Sequence, residues 1–209
     1  MLIIGLTGPS GSGKGILASY LRKCGMHVIN CDEISRIVCE KGQPCLDELV
    51  KSFSDGILLP DGSLNRKKLA EIVFSADKDG IKLKKLNEIT HKYILSYLEK
   101  LLAESGKSCA AVCVDAPQLF ESGLDEKCGY IIGVTANRET RIKRIMKRDN
   151  ITRESAEKRI QCQLSDSFFA SGCDVLFHND ADEKSLIRAA EPYILPLLKG
   201  ELPEHGDAE

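Results

Sequence analysis

The chain has 209 residues, 43% of them hydrophobic and 29% charged, which gives room for one or two domains with a buried core and excludes collagen-like, mucin-like and wholly disordered chains. Lys and Arg total 29 against 31 Asp and Glu, so the net charge is −2 and no global attraction to nucleic acid or an anionic membrane is expected; anion binding must be local. No apolar run approaches the ~18 residues of a membrane span, and the start MLIIGLTG has neither the basic segment nor the cleavage site of a secretory signal. A cytoplasmic location is the expectation. The nine cysteines are odd in number and form no C-x-x-C pair, so they are expected to be reduced and to serve as small hydrophobes.

In chain order, Leu2, Ile3, Ile4 and Leu6 make a short apolar strand that ends in a glycine-rich turn. Ile16, Leu17, Tyr20, Leu21 and Cys24 then recur at helical spacing, with Gly25 as the stop. Met26–Ile29 reads as a second strand, followed by Asn30, Cys31 and Asp32 and a new helical pattern at Ile34, Ile37 and Val38. Residues 30–109 are too many for a simple crossover and read almost entirely as helix, with apolar positions at Leu69, Ile72 and Val73 and again from Leu83 through Leu86, Ile89, Tyr93, Ile94, Tyr97, Leu98 and Leu101. Ala110–Val114, Tyr130–Val134 and Asp174–Phe177 read as further buried strands of a parallel sheet, and a helical stretch from Asp182 should be kinked or broken by Pro192. The alternation predicts an α/β core over 1–37, 105–137 and 171–200, a helical insertion over 38–104, a second helical excursion over 138–170 and a disordered tail over 201–209.

The turn after the first strand, Gly8-Pro9-Ser10-Gly11-Ser12-Gly13-Lys14-Gly15, satisfies the G-x-x-x-x-G-K pattern of a phosphate-binding loop. It follows a strand and opens a helix, where backbone N–H groups converge and the helix dipole favours negative charge. Glycine at 11, 13 and 15 lets the chain wrap closely around oxygens, and Lys14 can reach terminal phosphates as a mobile point charge. The pattern departs at Gly15 and Ile16, where neither residue offers the hydroxyl that usually holds Mg²⁺. The metal would then be held through water, by Ser10 or Ser12, or by carboxylates elsewhere, and no metal ligand is assigned. Asp32 and Asp115 each follow a strand and should face the crevice beyond the carboxyl ends of the sheet, with helix capping as the plainer role for either.

Residues 138–159 hold nine basic side chains against four acidic ones. Arg141, Arg144 and Arg148 fall at i, i+3 and i+7, on one helical face, while Ile142, Ile145 and Met146 line another. Such a face suits neutralisation of a transferring phosphoryl group; the plainer reading is a solvated charged surface. A nucleic-acid patch fits poorly, because the stretch has no aromatic residue for stacking.

Taken in order, these landmarks make the chain similar to the dephospho-CoA kinase family over residues 1 to about 195: GLTGPSGSGKG at 5–15, HVINCDEISR at 27–36, DGSLNRKKLAEIVF at 61–74, LNEITH at 86–91, APQLFESG at 116–123, RIKRIMKRD at 141–149, the 159–163 stretch and CDVLFHN at 173–179. The resemblance implies a five-stranded parallel nucleotide-binding core of the P-loop type with helices on both faces, the 38–104 insertion as the acceptor-binding domain and 138–170 as a lid. It further implies ATP with Mg²⁺ as phosphoryl donor and the ribose 3′-hydroxyl of dephospho-CoA as acceptor, both small molecules, with no nucleic-acid or membrane partner. Carried over by position, Gly11, Ser12, Gly13, Lys14, Gly15 and Ile16 form the ATP-binding loop and Asn179 lies near the nucleotide. Asp32 is the base, Arg144 and Arg148 are lid arginines, and Arg66 and His91 border the acceptor, with Asp115 facing the same crevice. The chain departs from the family pattern at Gly15-Ile16, where Ser-Thr is usual, at Asn30, where Asp is usual, at Lys92, where Pro is usual, and in the lack of basic residues over 165–172. Two alternatives follow from these departures: a nucleotide-binding sensor without catalysis, and a related kinase with a different nucleotide-like acceptor.

Overall fold

The computed structural model describes residues 1–75 and 80–203, apart from the side chains of Phe74 and Ser75. Five strands form one sheet: β1 (Leu2–Thr7), β2 (His27–Asn30), β3 (Ala111–Asp115), β4 (Tyr130–Thr135) and β5 (Val175–His178), in the spatial order β2-β3-β1-β4-β5. β1 pairs in parallel with β3 and β4, and β4 in parallel with β5, with Leu6 opposite both Asp115 and Ile132. Each strand edge therefore ends at the same side, and the loops that leave the carboxyl ends of β1, β3, β4 and β5 gather there.

The strands are short apolar runs because both faces are covered. On one face Ile4, Leu6, Cys113, Ile132, Val134, Val175 and Phe177 form a continuous core with Leu17, Ala18 and Leu21 of helix α1 (Lys14–Lys23) and Leu186, Ala190, Ile194 and Leu197 of helix α9 (Glu183–Leu198). The alternate positions face the other way. A methyl on Gly5 would lie 2.8 Å from Leu119, and one on Gly133 would meet Leu176 and Cys173, so these strand glycines make room for large neighbours.

Contact between elements divides the chain into two compact units, Met1–Ile29 with Glu104–Glu209, and Asn30–Ala103. The first holds the sheet with α1, α9 and three helices between β4 and β5: α6 (Arg138–Asp149), α7 (Arg153–Gln161) and α8 (Asp166–Gly172). Ile142, Ile145 and Ala156 form a small core of their own between α6 and α7, joined by Met146, Ile151 and Ile160. Asn150, at φ +51°, turns the chain from one helix to the other, a conformation that asparagine tolerates better than most residues. The second unit is helical: α2 (Cys31–Val38), α3 (Pro44–Phe53), α4 (Arg66–Ser75) and most of α5 (Ile81–Ser105), with Ile57 and Leu49 fully buried in it.

Two expectations change. Pro192 and Pro196 both lie inside α9, which runs unbroken through them; its buried stripe of Leu186, Ala190, Ile194 and Leu197 holds the helix on the sheet despite the missing N–H groups. The tail is ordered at its start, where the Glu201 N–H donates to the Pro196 carbonyl at 3.1 Å and Pro203 is buried, while residues 204–209 of the expected disordered tail lie outside the described residues. All nine cysteines are free thiols, and four of them, Cys31, Cys39, Cys45 and Cys113, are buried.

Candidate active site

The phosphate loop spans β1 and α1, and glycine sits where nothing larger fits. Gly11 has φ +80° and Gly13 φ +92°; a methyl on Gly11 would lie 2.7 Å from the Arg141 carbonyl oxygen, and one on Gly13 would run into the Asn179 amide. Gly13 is also the cap residue of α1. Elsewhere the chain fills that position with a side chain, as Asn137 does for α6 by accepting from the Thr140 N–H at 2.8 Å, or Asp182 for α9 by accepting from Ser185 at 2.8 Å. At α1 the cap residue has no side chain, and the first helical N–H, that of Lys14, donates to the Ser12 hydroxyl at 3.4 Å, so the positive end of the helix faces the loop.

Three successive loop carbonyls are tied from outside. The Ser10 carbonyl accepts from Arg141 Nε at 3.1 Å, the Gly11 carbonyl from Arg144 at 3.3 Å, and the Ser12 carbonyl from Arg144 at 3.2 Å and from Asn179 Nδ2 at 2.7 Å. With those acceptors directed at α6 and at the loop after β5, the carbonyls of Ser10, Gly11 and Ser12 are turned from a ligand, which favours an anion; of the loop's N–H groups, those of Ser10, Ser12 and Lys14 donate within the protein, to Gln163 Oε1, the Pro9 carbonyl and the Ser12 hydroxyl. Arg148 reaches the same loop through the Ser10 hydroxyl at 3.3 Å, while its Nε and Nη2 hold Asp149 at 2.8 and 2.9 Å.

Lys14 extends from the first turn of α1 and forms an ion pair with Asp115, the last residue of β3. Asp115 is 5% exposed, so this buried carboxylate serves a partly buried lysine rather than a helix cap. Asn179 is 2% exposed; its Nδ2 grips Ser12, and its Oδ1 is buried without a hydrogen-bond partner. Gly15 differs from its neighbours, since a methyl there would meet nothing within 4 Å.

The sequence placed Arg141 with Arg144 and Arg148 on one charged face. Arg144 and Arg148 do reach the loop, but Arg141 is 3% exposed and holds protein groups: Ser10, Gln163 Oε1 at 2.9 Å and Asp166 at 3.2 Å. Burial pushes its pKa down, and Asp166 opposes that. Gln163 entered the sequence reading only as the end of the 159–163 stretch and Asp166 only within 165–172; no local signal tied either to Arg141, since α7 lies between them and α6 in the chain.

The remaining candidates belong to the second unit. Asp32 is exposed in the first turn of α2, and it does not cap that helix: Asn30 does, its Oδ1 accepting from the Asp32 N–H at 2.8 Å. Arg66 opens α4 and is tied to α2 by a 3.4 Å bond to the Ser35 carbonyl. His91 lies half-buried on α5, and the next residue, Lys92, pairs with Glu48 of α3 at 2.6 Å, which holds the Glu48 carboxyl below the usual carboxylate range. Among the described residues no group of three or more His, Cys, Asp or Glu could hold a metal ion, and no helix is long and apolar enough to cross a membrane.

A parallel sheet in this order, with a glycine loop and lysine between β1 and α1 and an arginine-bearing helix pressed on that loop, defines the P-loop kinase class of α/β proteins. The fold resembles that of a solved shikimate kinase from Acinetobacter baumannii at TM-score 0.51 and 13% identity, which bears on the fold alone. The dephospho-CoA kinase family model matches residues 2–185, and the chain belongs to that family. A dephospho-CoA kinase of Fusobacterium nucleatum is 36% identical over 193 residues, covering 92% of this chain and 97% of that protein. A solved dephospho-CoA kinase from Campylobacter jejuni superposes at TM-score 0.70 with 25% identity, covering 95% of this chain and 98% of that one.

Proposed function

We propose that the protein transfers the γ-phosphoryl group of ATP to the ribose 3′-hydroxyl of dephospho-CoA, giving coenzyme A and ADP, the last step of coenzyme A synthesis, in the cytoplasm. The observation that carries this reading is the loop whose Ser10, Gly11 and Ser12 carbonyls are all tied outward, beside the Lys14–Asp115 pair, in a chain of this family. Loop amides and Lys14 hold the β and γ phosphates, and Asn179 keeps the loop in register next to the nucleotide. Arg144 and Arg148 exchange protein acceptors for oxygens of the transferring group as its charge spreads. Asp32 orients the 3′-hydroxyl and receives its proton as the new P–O bond forms and the bond to the β-phosphate oxygen breaks. Arg66 and His91 border the acceptor.

Mg²⁺, when bound with the nucleotide, would supply charge neutralisation on the triphosphate. With no group of three or more His, Cys, Asp or Glu able to hold a metal among the described residues and no hydroxyl at position 15, the residues present would fit an ion that arrives on the triphosphate and keeps most of its waters, with the Ser10 or Ser12 hydroxyl as the oxygen the loop could offer it. ADP release measured with dephospho-CoA and with a panel of other nucleotide-like alcohols tests the proposal. Acceptor-dependent ADP with dephospho-CoA far above the panel is expected; equal rates across the panel, or none with dephospho-CoA, overturn it.

A further inference from the structure

Gln163 lies between α7 and α8, and its carboxamide oxygen accepts two bonds that meet at the phosphate loop. The Ser10 N–H donates to Oε1 at 3.2 Å, and Arg141 Nη2 donates to the same oxygen at 2.9 Å. Both partners are donors only, so the oxygen, and not the amide nitrogen, must face them. Arg141 then closes the ring by donating from Nε to the Ser10 carbonyl at 3.1 Å. The peptide units on both sides of Ser10 are thereby pinned, one through its N–H and one through its carbonyl. The residue that follows is Gly11 at φ +80°, whose freedom would otherwise let the loop's apex rotate.

The pin has a defined origin. The Gln163 N–H donates to the Ile160 carbonyl at 3.1 Å, the end of α7, and Asp166, in the first turn of α8, holds Arg141 from the other side at 3.2 Å and accepts from Thr135 at the end of β4 at 3.3 Å. The segment that joins α7 to α8 thus sets where Ser10, the loop's third residue, stands relative to the sheet. We propose that Gln163, acting through Arg141 and Ser10, is a positioning residue for the phosphate loop, fixing the peptide units on both sides of Ser10 in the conformation that binds the triphosphate before any ligand arrives. The proposal rests on the reading of the loop as the ATP site.

Gln163→Leu keeps the bulk and removes the acceptor, whereas Gln163→Glu keeps an oxygen for both donors. Loss of one pinned conformation worth a single hydrogen bond to a charged donor predicts ATP binding weaker by roughly tenfold in Gln163→Leu. The KM for ATP should rise in parallel, with kcat at saturating ATP and the KM for dephospho-CoA within about twofold of the parent, and with a thermal midpoint lowered by no more than about 4 °C. Gln163→Glu should restore ATP affinity to within about threefold. Calorimetry with ATP reads the affinity without an acceptor, so a parent protein that binds ATP but does not phosphorylate dephospho-CoA defeats the proposed reaction and leaves this test intact. Equal ATP affinity in the parent and Gln163→Leu overturns the positioning role, as does an equal loss in Gln163→Leu and Gln163→Glu. A parent that binds no ATP overturns both readings.

Discussion

Lys14 and Asp115 are joined at the carboxyl ends of β1 and β3 by an ion pair in which the lysine side chain is 14% and the carboxylate 7% exposed. An arriving γ-phosphate must compete with that carboxylate for the ammonium group. Asp115→Asn removes the competing charge while leaving an amide oxygen for Lys14, so ATP affinity measured by calorimetry should be equal to the parent's or tighter. Lys14→Met removes the ammonium, leaves the carboxylate buried without its partner, and should reduce kcat/KM by about 100-fold or more. Weaker ATP binding in Asp115→Asn by tenfold or more would show that the carboxylate helps to hold the nucleotide rather than competing with it.

Asp32 stands in the first turn of α2, its N–H fixed by the Asn30 side chain, with the carboxylate exposed. If it receives the acceptor's proton, Asp32→Asn should lower kcat by about 100-fold or more while ATP affinity stays within about threefold, because the substitution is isosteric and leaves the α2 cap in place. Stopped-time ADP assays beside calorimetry separate the two quantities. Near-parental turnover would remove Asp32 from the chemistry.

Gly15 has open space where a side chain would go, and its φ is not in the left-handed region. Gly15→Ser should therefore fold without strain, raise the thermal midpoint by about 2 °C through the lower backbone freedom of the unfolded chain, and supply a hydroxyl at the position after Lys14. The Mg²⁺ concentration that gives half-maximal turnover should fall by about threefold or more. An unchanged Mg²⁺ requirement would place the metal away from this position.

Asp149 receives Arg148 and Arg159, and the Arg148 bond first, then the second guanidinium, hold its carboxyl down at about 2. A carboxyl whose folded value lies below its unfolded value of about 3.9 contributes stability that is fully present above the unfolded value and is lost as pH falls through the folded one. Melts of the parent and Asp149→Asn should differ by a small midpoint gap near pH 7, limited by solvent screening of the pair, that closes as pH falls toward about 2. A gap that stays constant down to that pH would mean the ion pairs contribute nothing.

The strands and the phosphate loop were legible because their signals are local. The four apolar residues Leu2, Ile3, Ile4 and Leu6, a glycine turn and a lysine opening a helix fix β1, the loop and α1 without reference to any other segment, and the structure shifts the expected strands of β2, β3 and β5 by a single residue, as at Ala111–Asp115 against the expected Ala110–Val114. Arg141 shows what was not legible. Its spacing matches Arg144 and Arg148, and only the packing of α6 on Gly11 sends one guanidinium inward to Ser10 and Gln163 and leaves the others at the loop's rim. Pro192 is the same lesson in the other direction, a local breaker overruled by a buried helix face that pairs with the sheet.

Because Arg141, Arg144 and Asn179 turn the acceptors of Ser10, Gly11 and Ser12 away from the cavity, the rim of that loop is electrically one-sided. Sorting by sign thus precedes any sorting by shape: with those carbonyls occupied, the lip favours sulfate, pyrophosphate and triphosphate over a neutral sugar or a bare cation. Discrimination among anions must then fall to features farther out, and simple oxyanions at high concentration become natural competitors of the nucleotide.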